Sequence, residues 1–355
     1  MQNFYRVIGA MSGTSLDGLD LAYCEFRFEH SRWTYQLRLA ETIAYTDALT
    51  YRLKNAVHVS GLDLALLNSD YGHFLGQQIQ QFIDRNRLAV DLVSIHGHTI
   101  FHQPEKRLTL QIGDGAAVAS YVKCPVVAQF RNTDVALGGQ GAPLVPIGDR
   151  LLFNSADFCL NLGGIANISF IENTKTTAFD ICVCNMALNY LASFKGLTHD
   201  AGGALAASGQ LHAQLLTQFN RLNFFKRPPP KSLGFEWFQS AFLPLLNTPE
   251  VAIEDRLHTV CEHIAEQVSV VVNAQPDASA KTMIITGGGA KNDFLISRIK
   301  HHCSCAIEES NPLIIDFKEA LIFAFLGVLR LREEVNCLAG VTGASRDNVG
   351  GAVYI

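Results

Sequence analysis

Apolar, β-branched runs separated by Gly-rich turns open the chain, and the pattern then shifts to a helical period. Runs over residues 6–11, 19–28 and 33–45 predict three antiparallel strands. Helical patterns follow over 46–59 and 62–87. In the second, Leu64, Leu67, Tyr71, Phe74, Leu75, Ile79, Phe82 and Ile83 keep close to a 3.6-residue period. Next come a buried strand at 92–95, a polar loop, a strand at 108–112, a helix at 114–121 and a strand at 125–129. Three antiparallel strands followed by alternating helix and strand predict an α/β layered domain. After a loop over 132–146 the series restarts, with strands at 158–161, 165–171 and 176–181 and helices at 185–194 and 211–220. A Pro-rich extended connector spans 227–234. A long amphipathic helix at 252–273, a strand at 282–286 and helices at 292–302 and 317–334 complete the second series. The expected division is an N-terminal lobe over 1–132, a C-terminal lobe over 133–340, and a tail over 341–355 returning to the first lobe.

Length and composition narrow the class. The 355 residues are 48% hydrophobic and 17% charged, enough for about two domains with sizeable cores. A net charge of −5 with scattered basic residues argues against a nucleic-acid or anionic-membrane partner. No apolar run reaches the roughly 18 residues a membrane span needs, and no N-terminal signal is evident, so a cytoplasmic location is expected. Nine cysteines include Cys182-x-Cys184 and Cys303-x-Cys305, without zinc-ribbon or redox spacing, and read as reduced, mostly buried thiols. His96-x-His98-x-x-x-His102 has ligand-like spacing, but its strand-then-loop setting argues against a catalytic metal.

Two of the turns share a chemistry. Gly13-Thr14-Ser15-Leu16-Asp17-Gly18-Leu19-Asp20 and Asn161-Leu162-Gly163-Gly164 each join apolar strands, and converging backbone N–H groups in such turns suit an anion. Taken singly, each is equally a plain β-hairpin turn. A third cluster, Gly287-Gly288-Gly289-Ala290-Lys291-Asn292, follows a strand and opens a helix, a setting that lets backbone approach a base or ribose closely. None is a P-loop or a dinucleotide fingerprint. Two matching turns imply two matching half-molecules with a phosphate-bearing ligand between them.

A twofold β-β-β-α-β-α-β-α repeat is similar to the architecture of the actin, sugar-kinase and heat-shock ATPase superfamily, two ribonuclease-H-like lobes with a nucleotide cleft between them. Within it the chain resembles the anhydro-N-acetylmuramic acid kinases. The matching segments are residues 9–18, His96-Gly97-His98-Thr99, Leu110-Gln111-Ile112-Gly113-Asp114, Phe130-Arg131 with 138–146, Asn161 to Asn167, Pro230-Lys231-Ser232, Gly287 to Asn292, Glu319-Ala320 and Val341 to Ala344. They keep the family's order over almost the whole chain. The resemblance implies a kinase that uses ATP and Mg²⁺, hydrolyses the 1,6-anhydro ring of 1,6-anhydro-N-acetylmuramic acid and phosphorylates O6. It also implies a homodimer. Asp180 matches the family's base; by position alone it reads as a strand-ending aspartate that caps the next helix or forms an Asx turn. Asp17 is expected to orient the phosphate turn or hold Mg²⁺ through water. Arg131 suits the lactyl carboxylate of the sugar, His96 and Thr99 its hydroxyls, and Asp114 and Glu319 complete the expected sugar site. For Glu319 a favourable helix-dipole interaction is the equal alternative.

The chain departs from the family where Phe-Asp-Thr-Gly-Pro-Gly-Asn gives way to Phe179-Asp180-Ile181-Cys182-Val183-Cys184-Asn185, which makes positive φ unfavourable there. Gln129 and Asn189 stand where the family has aspartates. Phosphorylation of another sugar hydroxyl and an ATP-switched binding protein of the same fold are the competing readings.

Overall fold

The computed structural model describes residues 2–13, 16, 18–171, 176–229, 231–308 and 310–355. The described residues form strands β1 (Phe4–Ser12), β2 (Leu19–Glu29), β3 (Arg32–Ile43), β4 (Leu92–Ile95), β5 (His98–Gln103), β6 (Leu108–Ile112) and β7 (Val126–Ala128). They continue with β8 (Phe158–Leu162), β9 (Ile165–Ile171), β10 (Thr176–Val183), β11 (Thr282–Thr286), β12 (Ala306–Glu308) and β13 (Ala352–Tyr354). The chain divides into two compact units, residues 1–152 with 317–355, and residues 153–316.

One strand order occurs twice. The first unit's sheet runs β13-β7-β4-β1-β2-β3 and the second unit's runs β10-β9-β8-β11-β12. In both, the first three strands form an antiparallel meander, the fourth lies parallel to the first, and the fifth parallel to the fourth. That 3-2-1-4-5 order is the ribonuclease-H-like topology, to which β13 adds an antiparallel edge strand. The crossovers between parallel strands carry helices onto the sheets, so the central strands β1, β4, β8 and β11 are largely buried and read as apolar runs.

In the first unit the helix Gly61–Asn86 lays Leu67, Tyr71, Leu75, Ile79 and Phe82 on Ile8, Ala10, Leu21, Val93 and Ile95. Ser60 starts this helix by accepting from the Asp63 N–H, and Arg87 ends it in a left-handed conformation. The helix Pro312–Leu331 has a non-helical residue at Phe317, where the division into units falls. From Ala320 to Leu329 it is almost wholly buried, and its Phe323 carbonyl accepts from the Ser94 hydroxyl on β4 at 2.5 Å. In the second unit the helix Ile253–Asn273 packs Leu257, Val260, Cys261, Ile264 and Val268 on Leu160, Leu162, Ile168 and Ile285. All nine cysteines are free thiols, and eight are buried.

Several elements differ from the sequence reading. The polar loop after residue 95 contains β5, which pairs with β6 as a separate hairpin. The loop over 132–146 holds the helices Asn132–Ala136 and Val145–Leu152, and Pro146 is tolerated because a first-turn residue needs no N–H. The expected boundaries at 132 and 340 give way to divisions at 152 and 317, because the segments 133–152 and 317–340 pack with the first unit. β13 sits on β7 of that unit.

Buried Asp134 pins the loop 138–142 and the 337–348 segment together. Its carboxylate accepts from the Gly141 N–H at 2.7 Å, the Thr342 hydroxyl at 2.8 Å, the Asn348 amide at 3.0 Å and the Cys337 thiol at 3.0 Å. Asp134→Ala removes the acceptor these four donors share, leaving the Thr342 hydroxyl only the Leu338 carbonyl at 3.3 Å and the Asn348 amide only the Arg346 carbonyl at 3.5 Å. A loss of about 3 kcal/mol or more is expected, read by chemical denaturation of the full chain.

Candidate functional site

Two groups of residues stand at the carboxyl ends of the central parallel strands, where ligands of open α/β sheets bind. In the first unit the ends of β1 and β4 are held side by side, since Ala10 pairs with Ile95 and the His96 N–H donates to the Ala10 carbonyl at 2.9 Å. The turn after β1 carries Gly13, Leu16 and Gly18, with the Leu16 N–H on the Gly13 carbonyl at 3.3 Å. Leu19 and Asp20 begin β2, where the Asp20 carboxylate accepts from the Thr42 hydroxyl at 2.6 Å. Thr14, Ser15 and Asp17 lie outside the described residues.

Beside that turn, His96 is buried and neutral. The Arg131 guanidinium, an obligate donor, gives Nε–H at 3.1 Å and Nη2–H at 2.9 Å to His96 Nε2, so the ring proton sits on Nδ1 and goes to the Gly97 carbonyl at 2.8 Å. Burial, then the Arg131 charge, pushes the His96 pKa well below its ordinary value. Both ring nitrogens are thus committed, which leaves none for a sugar hydroxyl. His96 instead orients Arg131, whose Nη1 also donates to the Gly141 carbonyl at 2.6 Å. One N–H on each terminal nitrogen is left over among the described contacts, a fork suited to a carboxylate. Burial lowers the Arg131 pKa to about 10, against the opposing attraction of Glu319.

Glu319 is open to solvent yet hemmed by protein on its other sides, and this desolvation raises its carboxyl pKa. Arg131 opposes the rise and Asp20 adds to it. Gln129, two residues before Arg131, holds a left-handed φ of 61°. Aspartate tolerates that conformation better than glutamine, which gives the substitution at this position a local cost. Thr99 on β5 accepts from the Gln111 amide at 3.4 Å. Asp114 caps the helix Gly115–Ala119 through the Ala116 N–H at 2.9 Å, so its carboxylate already has a structural task.

In the second unit the β8–β9 hairpin meets the turn after β11. A Cβ added at Gly287, whose φ is +82°, would lie 2.6 Å from Asn161 Oδ1, and one at Gly289 would lie 2.7 Å from Leu162 Cβ. These two glycines are required by the contact itself. Gly163, Gly164 and Gly288 are different. None has positive φ, and a Cβ at each would meet nothing closer than 3.4, 3.3 and 3.5 Å respectively. The fold would accept alanine at all three, so their open backbone is a cradle that side chains would fill. Asn185 closes it from below, its amide donating to the Leu162 carbonyl at 2.9 Å and its backbone N–H to Gly163 at 3.0 Å. Sequence reasoning left Asn185 out of the site. Asn292, expected there, is buried and caps the helix Asp293–His302 through the Leu295 N–H at 2.9 Å.

Asp180 lies inside β10 rather than at its end, because a bulge at Ile181 lets the strand run on to Val183. Ile181 to Cys184 are all buried, none with positive φ, and the N–H groups of Cys184, Asn185 and Met186 are spent on the Gly163 and Gly164 carbonyls. This segment is therefore core strand and not a ligand-facing loop. Asp180 caps no helix: the helix Asn185–Ser193 follows Cys184 without a side-chain cap. Its Oδ2 accepts from the Leu233 N–H at 2.8 Å, and its own N–H donates to the Lys231 carbonyl at 3.0 Å. Burial raises its pKa, with the Leu233 hydrogen bond opposing.

The sequence profile described as anhydro-N-acetylmuramic acid kinase matches residues 5–355. The chain belongs to the anhydro-N-acetylmuramic acid kinase family. An anhydro-N-acetylmuramic acid kinase of Hydrogenovibrio crunogenus is 34% identical over 360 residues, covering 98% of this chain and 97% of the relative. One of Mannheimia succiniciproducens is 32% identical over 377 residues, covering 100% and 99%. Among solved structures, component A of Acidaminococcus fermentans (R)-2-hydroxyglutaryl-CoA dehydratase aligns over 92% of this chain and 98% of its own, at 12% identity and a TM-score of 0.45. Family membership makes the chain an ATP-dependent sugar kinase. No helix among the described residues is long and apolar enough to cross a membrane.

Proposed function

We propose that the chain adds water to C1 of 1,6-anhydro-N-acetylmuramic acid, breaking the C1–O6 bond, while O6 takes the γ-phosphoryl group of ATP. The products are N-acetylmuramic acid 6-phosphate and ADP. The observation that carries this reading is Asp180: one oxygen is fixed by the Leu233 N–H, the other has no protein partner among the described contacts, and burial raises its pKa above the ordinary value. Such a carboxylate is positioned and tuned to take the proton of an attacking water, as in inverting glycosidases. Arg131, aimed by His96 and Gly141, supplies a fork for the lactyl carboxylate, and Thr99 a hydroxyl for the sugar.

Gly163, Gly164 and Gly288 fit the close approach of a nucleotide, with Asn161 and Asn185 beside them. Mg²⁺ would neutralise charge on the transferring phosphoryl group, held by phosphate oxygens, water and one or two carboxylates. Asp17 and Asp20 of the first hairpin are the carboxylates for that role. A cytoplasmic location and a homodimer belong to the same reading.

³¹P and ¹H NMR of ATP mixed with the anhydro sugar in ¹⁸O-labelled water tests it. Expected is a 6-phosphate with a free reducing end, the label at C1 and none in the phosphate. A phosphorylated sugar with its anhydro ring intact, or ATP hydrolysis alone, overturns it.

A further inference from the structure

His98, which the proposed site does not use, ends a chain of hydrogen bonds that begins in the core of the first unit. The Tyr45 hydroxyl donates to Ser12 Oγ at 2.7 Å, so its 2.7 Å contact with Tyr71 is a hydrogen bond from the Tyr71 hydroxyl to Tyr45. Ser12 Oγ lies 3.1 Å from His98 Nδ1, its best-aligned acceptor, and the Tyr71 hydroxyl that also stands near it has its own proton on Tyr45. The Ser12 proton therefore goes to Nδ1, and the His98 proton sits on Nε2. Donation runs one way, Tyr71 to Tyr45 to Ser12 to His98, and successive bonds polarise one another along such a chain.

The two histidines of this segment thus hold opposite tautomers. His96 turns its N–H inward to the Gly97 carbonyl. His98 is buried, with 4% of its surface exposed, and its Nε2 finds no protein acceptor among the described contacts. Its setting is the rim of the site: Ser12 is the last residue of β1 before the Gly13 turn, and His98 precedes Thr99 on β5. Tyr71 and Ser12 are buried and Tyr45 is half-buried; apolar side chains would fill the same space, but only this polar set can fix a tautomer.

We propose that His98 is a further substrate-binding residue, donating its Nε2–H to an oxygen of the anhydro sugar, and that Ser12, Tyr45 and Tyr71 are positioning residues that fix its tautomer. The inference deepens the proposed reaction and rests on it. A neutral donor matches an uncharged sugar oxygen, while the backbone N–H groups of the Gly-rich turns suit the phosphates.

Steady-state kinetics of the full chain with ATP and the anhydro sugar test the assignment. His98→Leu is expected to raise the sugar KM about tenfold with the ATP KM within twofold, the loss of one hydrogen bond to substrate. His98→Gln, which keeps an N–H at similar reach, restores most of it. Tyr45→Phe gives a smaller rise in the same parameter. An unchanged sugar KM in His98→Leu, or a rise confined to ATP, overturns the proposal. Should His98→Leu fail to fold, ¹⁵N-histidine NMR of the wild type, assigned with His98→Gln, decides. The Nε2-protonated form with a shift on adding sugar supports it, and the other tautomer or no shift overturns it. Failure of the proposed reaction itself would be seen separately, as wild type making no 6-phosphate.

Discussion

Asp180→Asn is expected to lower turnover by about a thousandfold or more while ATP affinity and product identity of the residual reaction stay the same, the range general-base removal produces. The amide keeps an oxygen for the Leu233 N–H, so the 2.8 Å anchor and the β10 bulge survive the change. What is lost is the ability to take a proton. The raised pKa of Asp180 places the acid limb of the wild-type rate profile above the position an ordinary aspartate would give it, and that limb should vanish from the residual activity of the variant. Stability should move the other way. A carboxyl whose folded pKa exceeds its unfolded one holds its proton more tightly when folded, so its ionisation costs stability. That cost is absent below the unfolded pKa and fully present above the folded pKa. The asparagine variant has no such cost. Its melting temperature should match the wild type in acid and equal or exceed it at neutral pH. An Asp180→Asn protein that turns over normally removes Asp180 from the role of base, and one less stable than wild type at neutral pH removes the raised pKa.

The sequence revealed most of this frame because its central strands are buried on both faces. Residues 92–95 and 282–286 are short apolar runs bounded by turn residues, and β4 and β11 have those same limits; β9 and β6, the latter in the separate hairpin, also match the runs at 165–171 and 108–112. The helix over 62–87 differed by one residue at each end, since Ser60 and Arg87 supply explicit end signals. Edge strands were another matter. β12 and β13 are three residues each, and what makes them strands is the pairing offered by β11 and β7, which no local pattern records. β5 reads as loop because His98, Thr99, His102 and Gln103 are polar, although the backbone needs only β6 beside it.

The site was legible as a set of residues and less so as a set of roles. Family resemblance pointed to His96 and Arg131, but the spending of the histidine on the arginine is a matter of the fold that brings residues 96 and 131 together. Asp114 and Asn292 carry motif positions and are occupied as helix caps. The replaced Gly-Pro-Gly segment looked like an altered ligand loop, and it is core: with Ile181, Cys182, Val183 and Cys184 all buried, apolar side chains there fill space rather than obstruct a ligand. Asn185 carried no local signal, because its importance comes from the Leu162 carbonyl brought to it by the β8–β9 hairpin.

Alanine at Gly163 and at Gly287 should separate two uses of glycine in one corner of the second unit. Gly163 has neither positive φ nor a near neighbour, so Gly163→Ala is expected to fold with an unchanged melting temperature and to raise the ATP KM by tenfold or more, a factor of ten being about 1.4 kcal/mol. Gly288→Ala should behave in the same way. Gly287→Ala combines a φ of +82° with a Cβ 2.6 Å from Asn161 Oδ1 and 2.9 Å from the Leu162 carbonyl. With ψ at 166° the backbone lies in a region essentially only glycine visits, where strain alone costs about 1–3 kcal/mol, and the clash forces the hairpin off the β11 turn. Loss of stability should therefore lead there, with ATP binding lost as a consequence. Isothermal calorimetry with a non-hydrolysable ATP analogue, beside thermal melts of each variant, reads both quantities. Equal nucleotide affinity in Gly163→Ala, Gly288→Ala and wild type would show that the open backbone at these positions serves neither the fold nor the nucleotide, and the cradle would have to be sought elsewhere.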